Sequence, residues 1–157
     1  MTEDARFADG GERPLRLMVA DAEDLRVLSA LCQDAVTQTA ETSWKAARRE
    51  FALLLNRFRW EYHAGRPGQP AERVQSALVV NDVRRVRSSG VDPADRDLVL
   101  SLLAIEFTPG EDGQGTVTLV LAGDGEIALD VESLNLTLTD VTRPYLAPSR
   151  KAPDHGV

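Results

Sequence analysis

The sequence predicts an α+β fold dominated by antiparallel strands, as one or more β-meanders in a bent sheet or two related sheets, with one N-terminal amphipathic helix. Two observations carry this. From Thr116 to Thr139, apolar and polar residues alternate around a Gly123-Asp124-Gly125 reversal, the period of a pleated strand with one buried face. From Leu25 to Val36, apolar residues recur at three- and four-residue steps, which is one stripe of a helix. A length of 157 residues with 43% apolar side chains suits a single domain that buries a real core.

In chain order, Leu15, Leu17 and Val19 alternate with Arg16 and Met18 and predict a first strand. Asp21 is placed to cap a helix, with Asp24 three residues later. Leu25, Leu28, Leu31, Cys32, Ala35 and Val36 then form the buried stripe of a helix from Asp21 to about Val36. Residues 44–60 fit a helix by spacing, yet Phe51, Leu53 and Leu55 also alternate. A weak internal match favours strand for 51–58. Ala77 to Pro93 aligns without gaps on Ala128 to Pro144, with Val83 against Leu134, as if 50–93 and 116–144 were two related β-meanders. Leu98 to Phe107 predicts another strand.

The hairpin is expected to pair Leu121 with Ile127, Leu119 with Leu129 and Val117 with Val131, with Gly125 supplying a positive φ. Leu134, Leu136 and Leu138 keep the alternation but change its phase near Glu132-Ser133. A bulge bending one long strand is favoured over a two-residue turn there. Residues 1–14 and 143–157 are polar or rich in Pro and charge, and read as flexible tails around one domain at 15–142.

The lone Cys32 forms no internal disulfide, so a reducing, cytoplasmic setting is expected. No signal-peptide pattern opens the chain, and no apolar run approaches the roughly 20 residues of a membrane span. The net charge of −7 is unevenly spread. Residues 45–87 hold ten Lys or Arg and four Asp or Glu, a net of +6. An acidic chain disfavours indiscriminate nucleic-acid binding, while its basic middle keeps a local anion-binding surface in play.

The segments FALLLNRFRWE at 51–61, LLAIEFTPGE at 102–111 and GTVTLVLAGDGEIALDVE at 115–132 resemble an alphaproteobacterial family of unknown function, DUF2948. The resemblance runs from about Leu15 to Val141. It implies a small bacterial protein and carries no catalytic residues over.

The patch Arg57-Phe58-Arg59-Trp60-Glu61 has the most chemical content. In a strand, Arg57 and Arg59 share one face, and Phe58 and Trp60 the other. Arginine forks suit phosphate or carboxylate, and aromatics stack on bases or sugars. The plainer assignment, which we favour, makes Phe58 and Trp60 core and the arginines a solvated face. Arg84, Arg85 and Arg87 on the next strand would extend the basic surface, or simply protect a sheet edge. His63, His155 and Cys32 lack metal-ligand spacing, so no metal or other cofactor is expected. No nucleophile elbow, P-loop or EF-hand spacing is present. The expected function is a non-catalytic binding or protein-interaction module whose partner the residues do not name; the basic middle leaves room for an anionic one, either an acidic protein surface or nucleic acid. The alternative is an enzyme of unrecognised type using Arg57 and Glu61.

Overall fold

The computed structural model describes residues 14–60, 72–143 and 145–146. The first strand, β1 (Arg16–Val19), leads into α1 (Ala22–Leu31). Asp21 caps α1 as its type predicts, its carboxylate accepting the Asp24 N–H at 2.8 Å. The helix ends five residues short of the expected Val36. Asp34 takes a left-handed φ of 65°, and its N–H donates to Leu102 O across to a strand. Ala35 and Val36 therefore serve sheet pairing, and β2 is Val36–Gln38.

After β3 (Thr42–Lys45) and a 3-10 helix at Ala46–Arg48 comes β4 (Glu50–Phe58). Residues 51–58 are thus strand, as the internal match favoured. The chain continues through β5 (Glu72–Val80), β6 (Val83–Ser89), β7 (Val99–Pro109), β8 (Gly115–Leu121), β9 (Glu126–Val131) and β10 (Leu136–Asp140). A short β11 (Tyr145–Leu146) pairs with Arg73 and Glu72 of β5, inside the segment expected to be a tail. Tail residues 1–13, 144 and 147–157 lie outside the described residues.

The strands form one antiparallel sheet in the order β1-β10-β5-β4-β2-β7-β8-β9-β6, with β3 on β4 and β11 on β5. The sheet is open, and β1 and β6 are its edges. Inward residues of both halves of the sheet, β1-β10-β5-β4-β2 and β7-β8-β9-β6, form a single core with Leu25, Leu28 and Cys32 of α1. Two connections cross between the halves. Residues 81–82 carry β5 into β6, and residues 132–135 carry β9 into β10. They are tied together: Asn81 N donates to Asn135 O, Glu132 N to Asp82 O, and Ser133 Oγ to the Asp82 carboxylate. The phase change near Glu132 is therefore no bulge in one long strand. It marks the chain leaving one half for the other, where β10 pairs with β5 and β1.

The segments aligned in the sequence occupy matching places. Hairpin β4–β5 is followed by β6, which pairs with β9; hairpin β8–β9 is followed by β10, which pairs with β5. The β8–β9 register differs by two from the expected one: Leu119 faces Ile127, and Val117 faces Leu129. A shift of two leaves every side chain on its expected face. The positive φ falls on Gly123 (81°) and Asp124 (66°) rather than on Gly125. Two successive left-handed residues are what a type I′ reversal demands.

Candidate functional site

The basic patch of the sequence is divided by the fold. Along β4, Phe51, Leu53 and Leu55 are buried and Ala52, Leu54 and Asn56 are not. Arg57 is next in phase with the buried set, so it points into the core and is 0% exposed. Two other strands supply its partners from their own buried rows. Ser76 stands between Val74 and Leu78 in the buried row of β5, and Asp140 follows Leu136 and Leu138 on β10.

Arg57 Nε donates to Ser76 Oγ at 2.9 Å, and Nη2 donates to Asp140 Oδ1 at 3.0 Å and Oδ2 at 3.3 Å. Ser76 Oγ donates to Asp140 Oδ1 at 2.6 Å, and Leu15 N donates to Oδ2 at 2.8 Å. The cluster closes one end of the core with matched charges. The expectation of a solvated Arg57 is corrected here, because the phase of the alternation outweighs the charge when a buried carboxylate is waiting.

Arg59 is also withdrawn from the surface, at 3% exposure. It pairs with Glu72, whose backbone carbonyl accepts the Arg59 N–H at 2.9 Å. Phe58 is buried, and its ring meets Trp60 edge-on at 4.5 Å between centroids. The half-buried Trp60 donates Nε1–H to Gln33 O at 3.1 Å, just past α1. Its indole is thus held by the fold. Glu61 lies outside the described residues.

The β6 arginines sit elsewhere. Between β4 and β6 the sheet order runs through β2, β7, β8 and β9, so no continuous strand surface joins Arg57 to Arg84, Arg85 and Arg87. The last three are exposed on the edge strand. Arg87 is tied down: Nη2 donates to Asp130 Oδ1 at 2.6 Å, and Thr116 Oγ1 donates to the same oxygen at 2.9 Å. Hydrogen bonding to Asp130 raises the Arg87 pKa. The Asp130 carboxyl is held below its ordinary 3.8, first by the Arg87 hydrogen bond, then by Thr116 and by the charges of Arg87 and Arg85, against the opposing effect of burial.

A depressed folded-state pKa gives stability present above the unfolded value and lost as pH falls through the folded one. Asp130→Asn should therefore lower the urea midpoint at neutral pH, and the gap to the wild type should shrink well below pH 3.8. A gap that is equal at both pH values would mean the pair contributes nothing.

Arg84 and Arg85 form no ion pair among the described residues. Beside them lies a segment that the patch reading overlooked. Arg49, just past the 3-10 helix, accepts the Val83 N–H on its carbonyl at 2.8 Å, which brings that helix to the start of β6. Lys45, Arg48 and Arg49 are exposed there, with Arg49 paired to Glu132. Trp44, 38% exposed, precedes them. The sequence signal was the charge of residues 45–87 as a block; no local periodicity marked this corner.

Open grooves elsewhere carry little chemistry. The one between α1 and β7 is lined mainly by Leu25, Ser29, Gln33, Leu103 and Phe107, with Arg26 and Glu106 as its ionisable groups. Among the described residues no three His, Cys, Asp or Glu side chains gather as metal ligands. Nor is any helix there long and apolar enough to cross a membrane.

The family described as "Protein of unknown function (DUF2948)" matches residues 15–155. The chain belongs to the DUF2948 family. No curated protein and no solved structure matches it. The DUF2948 match spans both halves of the sheet, the buried Arg57 cluster and the basic corner alike.

Proposed function

We propose that this protein is a cytoplasmic, non-catalytic binding module that docks an anionic macromolecule on the corner between the 3-10 helix Ala46–Arg48 and the start of β6. The observation that carries the reading is the juxtaposition of exposed Lys45, Arg48, Arg84 and Arg85 in a chain of net charge −7. Arginine forks recognise carboxylates and phosphates alike. The exposed Trp44 offers an apolar surface beside the charges. The reducing setting rests on Cys32, the single cysteine of the sequence, buried in the core. The alternative, an enzyme of unrecognised type at Arg57 and Glu61, would have to bring the buried Arg57 into reach of a substrate.

The test is fluorescence anisotropy with a labelled polyglutamate peptide and a single-stranded DNA oligomer at low and moderate salt. Binding should weaken steeply as salt rises. Arg84→Glu/Arg85→Glu should weaken it roughly tenfold or more and leave the urea midpoint near that of the wild type, as exposed substitutions usually do. Undiminished binding by that variant, or no binding by the wild type, would overturn the reading.

A further inference from the structure

We infer that the anionic partner is an extended acidic polypeptide segment, which adds as a strand to the free edge of β6 with Asp or Glu alternating with apolar residues. The inference rests on the binding reading above and narrows it to one partner class. Among the described residues β6 has a strand neighbour on one side only, β9; Arg49 O already takes the Val83 N–H, so the edge open to a partner begins after Val83. An unpaired edge presents a row of backbone donors and acceptors that another extended chain can use.

The side chains of β6 set what that chain must carry. By register, Arg85 and Arg87 stand beside Asp130 and Ala128, on the face of β9 opposite Leu129. Val86 stands beside the buried Leu129 and packs on the core from the other face. A strand laid along this edge lies about 4.8 Å away and presents alternate residues to the two faces. Acids beside Arg85 and Arg87, with an apolar residue beside Val86, would match both. Arg87 already holds Asp130, yet its side chain is 44% exposed and a guanidinium has five donors.

The same charges select against the commonest wrong partner. Two copies of β6 pairing antiparallel about Val86 would set Arg85 against Arg87, a like-charge pairing that destabilises a sheet. Nucleic acid would satisfy the arginines but leave the backbone row and Val86 unused.

The experiment uses the full chain and labelled peptides of about seven residues, the length of a typical strand. One alternates Glu and Val. A second has the same composition in two blocks, a third carries Pro at alternate positions, and a fourth alternates Lys and Val. The alternating acidic peptide should bind about tenfold or more tightly than each of the other three. Amide exchange should show the β6 amides slowed in the complex. Arg85→Glu/Arg87→Glu should abolish binding, and Arg85→Gln/Arg87→Gln serves if the reversal variant fails to fold.

Equal binding of the block and alternating peptides, or β6 amides that exchange as fast with peptide as without, would overturn strand addition. The basic-corner reading would survive that result if salt-sensitive binding still required Arg84 and Arg85. If no anionic probe binds, both readings fall together.

Discussion

Arg57→Ala should lower stability by about 3–5 kcal/mol, the range for removing one partner of a buried ion pair. The Asp140 carboxylate would keep Ser76 Oγ and the Leu15 amide but lose the guanidinium that balances its charge. Against a total of about 5–15 kcal/mol for a domain, that loss is severe. Asp140→Ala should be equally damaging, because it strands the arginine instead. The double variant should cost less than the sum of the two single changes, since neither charge is then left alone.

A sharper version replaces all three polar groups, Arg57→Met, Ser76→Ala and Asp140→Leu. Buried ionic clusters are often replaced by apolar side chains without loss, or with a gain of about 1–4 kcal/mol. Urea unfolding of the four variants decides the matter. If Arg57→Ala unfolds at the wild-type midpoint, the cluster is not a structural plug. If the apolar triple variant folds well, the cluster is dispensable for stability.

Leu28→Ala is expected to cost about 2–5 kcal/mol, the range for emptying a core leucine site. Leu28 is fully buried within the cluster that joins α1 to both halves of the sheet. It sits on the face that packs towards β7 and β1. Val27, its neighbour on the same helix, is half exposed, and Val27→Ala should stay within about 0.5 kcal/mol. The contrast separates packing from helix propensity, since alanine favours helix at either position. Equal midpoints for the two variants would remove α1 from the core.

The sequence by itself determined most of what depends on local periodicity. It located β1, the start and cap of α1, the strand reaching Phe107, and the β8–β9 hairpin. These signals come from a side chain's place in a repeat of two or three to four residues, and no distant partner is needed to read them. The inward faces of β8, β9 and β10 were likewise legible, and the register error of two did not disturb them.

Only the tertiary structure decided where α1 stops, because a bond from Asp34 to Leu102 draws the chain into the sheet. It alone showed that Glu132-Ser133 marks a crossing between halves, since a change of phase looks the same whether a strand bends or departs. It also took the basic patch apart. Arg57, Ser76 and Asp140 each lie in phase with a buried apolar row, a signal present in three separate strands. Their charges and hydroxyl suggest solvent until β4, β5 and β10 lie side by side and the groups satisfy one another. The corner of Lys45, Arg48, Arg84 and Arg85 was hidden for the opposite reason. Its members are exposed and follow no period, and their two segments meet where Val83 N–H bonds to Arg49 O across 34 positions of the chain.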